Sequence, residues 1–162
     1  MTGRSCTTQL PEVLDIWTRF LEEGGCVDVM YLYFAKAFDT VSHRRLMAKL
    51  RGYSISGKVW ELIGHILTDR KQCVIVNGET SGYEDVSSGT PQGSVLGPLL
   101  FFIYINDLRD EVASLIKLFA DDTKLFAKIV RLQDCADLQK DLTALQFGQL
   151  NGYSISTLSN AK

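Results

Sequence analysis

The chain has 162 residues, 46% hydrophobic and 22% charged, which supports one globular domain with a sizeable core and excludes a disordered polymer. A net charge of −2 and a pI near 5.7 exclude the uniformly basic surface of a free-standing nucleic-acid binder.

Leu10, Val13, Leu14, Trp17 and Leu21 recur at helical spacing behind the capping candidates Thr7 and Thr8, and Gly24-Gly25 supplies a stop. The first element is therefore an amphipathic helix. Val27 to Phe34 is rich in Val, Tyr and Phe and apolar on both faces except at Asp28, so it reads as a buried central strand whose end is where function would sit. A basic helix follows from about His43 to Arg51, with Ser42 as its cap and Leu46, Met47 and Leu50 facing inward. Val59, Leu62, Ile63, Ile66 and Leu67 mark a second helical stripe, capped by Ser56. Cys73 to Val76 and Tyr83 to Val86 flank Asn77-Gly78, a hairpin signal. Ser87 to Ser94 contains Gly89, Pro91 and Gly93 and describes a loop whose backbone must approach something closely. The apolar run after it, with Pro98 in its first turn, predicts a buried helix to about Leu108.

Next comes a hairpin centred on Asp121-Asp122, and then a last helix marked by Leu132, Cys135, Leu138, Leu142 and Leu145. From Gln146 onward there is no clear pattern. Gly-Tyr-Ser-Ile-Ser at Gly52–Ser56 recurs at Gly152–Ser156, but it is too short to be a structural repeat. Helices on one face of a mostly antiparallel sheet make an α+β domain, expected over residues 1–146, with a divergent tail over 147–162.

Charge is segregated along the chain. Residues 43–73 hold seven basic side chains against Glu61 and Asp69, a surplus of +5, whereas residues 106–122 hold five acidic side chains against Arg109 and Lys117, a surplus of −3. A basic flank beside an acidic centre suits a polyanion held near a metal, or simply two solvated faces of opposite sign. Cys6, Cys26, Cys73 and Cys135 lack metal-ligand spacing and are expected to be reduced and mostly buried, as in an intracellular protein of cytoplasm or nucleus. The N-terminus lacks the apolar core of a signal peptide, so secretion is not expected. No membrane segment is expected either, because the most apolar stretch, Val95 to Ile105, is eleven residues long and interrupted by Gly97 and Pro98.

The adjacent aspartates Asp121 and Asp122 stand between apolar runs, where two side-by-side carboxylates repel each other and call for a cation. A bound divalent metal satisfies them, as does an Asp-Asp turn facing water. Two other stretches bear on the choice. They are Tyr31-Leu32-Tyr33-Phe34-Ala35-Lys36-Ala37-Phe38-Asp39 and the loop Ser88-Gly89-Thr90-Pro91-Gln92-Gly93-Ser94-Val95-Leu96-Gly97-Pro98. Together with Phe119-Ala120-Asp121-Asp122 and Tyr104-Ile105-Asn106-Asp107-Leu108, in this order, the chain resembles the reverse transcriptase of non-LTR (LINE-type) retrotransposons from about Gly3 to Gln146.

The resemblance implies a right-hand polymerase palm, of which this chain is expected to carry part of the fingers and no thumb. It also implies an RNA template, a DNA primer and a deoxynucleoside triphosphate as partners. Two metal ions about 4 Å apart would align the primer hydroxyl with the nucleotide. Asp121 and Asp122 match the family's hairpin aspartates, with Mg²⁺ the expected metal for all-oxygen ligation. Phe38 matches the aromatic that lies under the sugar, with a core aromatic as the other reading, and Gln92 and Gly93 match the loop that meets nucleotide and template. Arg4 matches a segment that follows phosphate-binding fingers absent from this chain. Lys162 is at most a remnant of a later lysine motif.

The third metal-binding aspartate of the family is replaced by Tyr33. A phenol, with an ordinary pKa of about 10, is neutral at pH 7 and brings neither the charge nor the paired oxygens that bridge two ions. Asp39 is expected to cap the following helix instead. Asp28 lies five residues back, roughly 16 Å away at about 3.3 Å per residue. The expectation is a reverse transcriptase fragment that is inactive or nearly so, with at most one weakly held Mg²⁺. The alternatives are a non-catalytic module that binds nucleic acid or protein through the basic 43–73 segment, and a retroelement relic with no selected role.

Overall fold

The computed structural model of the chain describes residues 6–119, 122–147 and 155–158. Arg4, Asp121, Lys162 and Gly152 to Ser154 of the second Gly-Tyr-Ser-Ile-Ser copy lie outside the described residues. The chain divides into two compact units, a sheet unit drawn from residues before Ala35 and after Asp107, and a helical unit over Ala35–Asp107.

The sheet unit begins with helix α1 (Cys6–Glu22), so Thr7 and Thr8 fall inside the helix and do not cap it. Gly24, at φ +74°, ends it as predicted, with the Gly24 and Gly25 N–H groups donating to the carbonyls of Leu21 and Phe20. Strand β1 (Cys26–Phe34) is central in a four-stranded antiparallel sheet. Its neighbours are β7 (Asp122–Ile129) on one side and β8 (Ile155–Leu158) on the other, and β6 (Leu115–Phe119) closes the far edge. The strand at β8 differs from the patternless tail expected there. Four residues are too few to show an alternation, and the strand is defined by its pairing with Tyr31–Phe34 of β1.

Tyr31, Lys124 and Lys117 stand in one cross-strand row, so two ammonium groups directly oppose each other. Such a pair destabilises a sheet unless each cation finds a partner. Lys117 Nζ donates to Glu12 Oε1 of α1 at 2.6 Å, and Lys124 Nζ lies 5.5 Å from the Tyr31 ring centroid. Trp17 meets Phe126 edge-on at 5.9 Å, and Lys128 bonds Glu23, holding its carboxyl below the usual range. These contacts lay α1 along this face of the sheet. Only Val13 of the predicted stripe is fully buried, since Leu10, Leu14 and Leu21 remain exposed. Helix α5 (Leu132–Phe147) starts where the Asp134 carboxylate accepts the N–H groups of Val130 and Arg131, and it buries Leu138, Leu142 and Leu145.

In the helical unit, α2 (His43–Gly52), α3 (Gly57–Leu67) and α4 (Leu96–Ile105) bury Leu46, Leu50, Ile63, Leu67, Leu100 and Tyr104. A 3₁₀ turn (Asn106–Glu111) follows α4. Ser42 and Ser56 occupy the predicted N-cap positions, but neither side chain makes a capping bond. Lys49 Nζ donates to the Tyr104 carbonyl and to Asp107 Oδ1, which ties α2 to the end of α4. A hairpin turns at Asn77-Gly78 as expected, but the flanking segments 73–76 and 83–86 do not pair with each other. Strand β3 (Ile75–Val76) pairs with β4 (Glu79–Thr80) around Asn77-Gly78, and β2 (Lys71–Gln72) pairs with β5 (Glu84–Asp85). Both turn residues have positive φ, as a tight hairpin demands.

The cysteines depart from expectation: Cys26 and Cys135 are exposed and Cys73 is half-buried. Cys26 sits at the first position of β1 and Cys135 in the first turn of α5, places the core does not reach. Among the described residues no helix is long and apolar enough to cross a membrane.

Candidate active site

In the sheet unit, Phe119 pairs with Asp122, Asp122 with Tyr33, and Tyr33 with Ser156, so these positions form the last row that spans all four strands. Directly opposed residues place their Cβ atoms about 5 Å apart on one face, which makes Tyr33 and Asp122 immediate neighbours. Both are exposed. Asp28 pairs with Ala127, five positions from Tyr33 along β1 and well away from this row.

Among the described residues no three His, Cys, Asp or Glu side chains stand close enough together to hold a metal ion. The row sets Tyr33 across from Asp122, and a phenol has one hydroxyl oxygen where a carboxylate would offer two anionic ones. These described donors do not make up a magnesium site.

The helical unit gathers the other predicted residues. Phe38, Gln92 and Gly93 line one cleft of about 500 Å³ with Pro91, Ser94, Val95, Gly97 and Pro98. Phe38 is half-buried and packs on Phe101 with ring centroids 5.0 Å apart, so it belongs both to the core and to the wall of the cleft. Gln92 also lines a second, polar cavity of about 570 Å³, whose charged side chains are Lys36, Arg70, Asp39 and Asp85. An apolar cleft beside a polar cavity suits a ligand with a flat apolar part and a charged part.

The loop carrying Gln92 is stitched to the turn that follows β1. Gly89 N–H donates to the Val41 carbonyl, Thr90 N–H to the Phe38 carbonyl, and Ser88 Oγ to the Asp39 carbonyl, while His43 Nε2 lies 2.7 Å from the Gly89 carbonyl. A Cβ on Gly89 would meet the Phe38 carbonyl oxygen at 2.9 Å and Asp39 Cα at 3.0 Å, and its φ is +87°. This is the close backbone approach that the glycines predict.

Asp39 does not cap α2. The helix begins at His43 behind Ser42, too far along the chain for the Asp39 side chain to cap, and the carboxylate instead accepts from Gln92 Nε2 at 3.0 Å. Sequence reasoning missed this partner because 53 positions separate the two residues and no local spacing links them. Lys36 and Arg70 were likewise not singled out as cavity residues.

The family model described as "Reverse transcriptase (RNA-dependent DNA polymerase)" matches residues 3–156. The chain belongs to the reverse transcriptase family. Its similarity is to polymerases of non-LTR retrotransposons. It is 31% identical over 147 residues to the RNA-directed DNA polymerase from mobile element jockey of Drosophila funebris, covering 85% of this chain and 16% of the relative. To the probable RNA-directed DNA polymerase from transposon X-element of Drosophila melanogaster it is 30% identical, covering 83% of this chain and 15% of the relative. This reverse transcriptase chain thus spans about a sixth of the length of those curated relatives. Among solved structures, a telomerase from Candida tropicalis in complex with a fragment of telomeric RNA superposes with a TM-score of 0.73 at 12% identity. That match covers 96% of this chain and 29% of the telomerase chain, and an apo form of the same telomerase gives a TM-score of 0.69. The shared fold is a partial polymerase palm, helices packed with an antiparallel sheet.

Proposed function

We propose that this chain is the palm segment of a LINE-type retrotransposon reverse transcriptase in which polymerisation is weak or lost. The substrates on this reading are an RNA template, a DNA primer and a deoxynucleoside triphosphate, met inside the cell. Phe38, Gln92 and Gly93 form the nucleotide and template side, and Asp121 and Asp122 are what remains of the Mg²⁺ side. The observation that carries the reading is the pairing of Tyr33 with Asp122. That pairing sets Tyr33 across from Asp122, and on this reading a phenol stands where two-metal chemistry calls for a carboxylate.

Primer extension on an RNA template with Mg²⁺ tests this, comparing the wild type with Tyr33→Asp and with Tyr33→Asp/Asp122→Asn. The wild type is expected to extend poorly, Tyr33→Asp to gain at least about 100-fold, and the double variant to lose that gain. Robust synthesis by the wild type would overturn the proposal. A Tyr33→Asp variant that stays silent would show that residue 33 is not the principal defect.

A further inference from the structure

A carboxylate has only acceptors, so the one group of a glutamine amide that can bond to it is the NH₂. The contact from Gln92 Nε2 to Asp39 Oδ1 therefore fixes which way the Gln92 amide faces: its nitrogen is turned to Asp39 and its oxygen is turned away. Asp39 is itself held in place. Its carbonyl accepts from Ser88 Oγ at 2.7 Å and its N–H donates to the Lys36 carbonyl at 2.8 Å. Gln92 contributes to the walls of both the polar cavity and the apolar cleft, so the orientation of its amide decides what is presented between them.

We infer that Asp39 is a positioning residue that locks the Gln92 amide so that its carbonyl oxygen is offered as an acceptor to a donor group of the bound nucleotide. The inference rests on the proposed reading of Gln92 as a nucleotide contact and adds to it the direction of that contact. Without Asp39 the amide can rotate, and half of its orientations present NH₂ where the oxygen stood.

The test combines nuclear magnetic resonance of the ¹⁵N-labelled full chain with a titration of dGTP and Mg²⁺. In the wild type, one side-chain amide proton of Gln92, assigned by its disappearance in Gln92→Ala, should lie downfield of those of solvated glutamines. Asp39→Ala should return it to the solvated position and weaken dGTP binding roughly 2- to 10-fold. Gln92→Ala should weaken binding by a similar factor, and the double variant should be no worse than either single one.

If Gln92→Ala weakens binding but Asp39→Ala leaves both the affinity and the amide signal unmoved, Asp39 does not position Gln92, while the reading of Gln92 stands. If Gln92→Ala leaves binding unchanged, or the wild type binds no dGTP, the reading of Gln92 falls and the inference falls with it, whatever the amide signal does. Should Asp39→Ala fail to fold, Asp39→Asn keeps the size and removes the acceptor-only character. It should blur the Gln92 signal into two orientations and weaken binding less, and an unchanged, single downfield signal there would overturn the inference.

Discussion

Asp141 shows how one side chain can be read for its effect on stability. Burial pushes its carboxyl up, but the hydroxyl and N–H of Ser114 and the N–H of Ala113 outweigh that, so the group is held below the ordinary carboxylate range. The N–H of Ser114 donates to it at 2.7 Å. Because its folded pKa is depressed, the stability it contributes is fully present above the unfolded value of about 3.9 and is lost as pH falls through the folded one. Asp141→Asn should cost about 1–3 kcal/mol at pH 7 and make the decline in stability below about pH 4 shallower. Urea denaturation at pH 7 and pH 3 measures both, and a variant as stable as the wild type at pH 7 would refute the assignment. Nothing in the sequence singles out Asp141, whose partner lies 27 positions earlier, nor the partnership of Asp39 with Gln92. Tyr33 was legible because it interrupts a motif, and a break in an otherwise matched string needs no tertiary information.

Among the elements, the loop from Ser87 to Ser94 is the most exacting, because its backbone lies against the turn that follows β1. Gly89→Ala forces a left-handed alanine against the Phe38 carbonyl oxygen and should cost about 1–3 kcal/mol. Gly93 also has positive φ, +74°, but a Cβ there meets nothing within 4 Å, so Gly93→Ala should cost only about 1 kcal/mol. Thermal melts of the two variants give the comparison, and a Gly93→Ala penalty equal to that of Gly89→Ala would contradict it. Helices α1, α2, α3 and α5 were legible from apolar residues at a 3.6-residue period, and α4 from an unbroken apolar run with Pro98 in its first turn. Their buried faces were less so: Leu10, Leu14, Val59 and Leu62 fit the stripes and remain exposed. Periodicity identifies an apolar side of a helix, whereas burial depends on what packs against it.

At the scale of the whole molecule, the sheet has β1 inside only because β8 flanks it. Removing residues 155–162 leaves β1 as an edge with unpaired N–H and C=O groups. The shortened chain should melt at a lower temperature and associate as concentration rises, which light scattering would detect. A shortened chain that stays monomeric with an unchanged melt would show that β8 adds nothing. The exposed cations Arg44, Arg51, Lys58 and Lys71 of the helical unit should give RNA binding that weakens with salt. Four phosphate contacts on a single strand correspond to a log–log slope of about −3, and salt-insensitive binding would exclude this surface. With hydrogen-bond ladders on both flanks, β1 keeps residue 33 opposite Asp122 whichever side chain it carries. A tyrosine codon becomes an aspartate codon by a single base change. The loss of polymerisation proposed for this chain is therefore genetically shallow, since the backbone that would receive the missing carboxylate already stands in register.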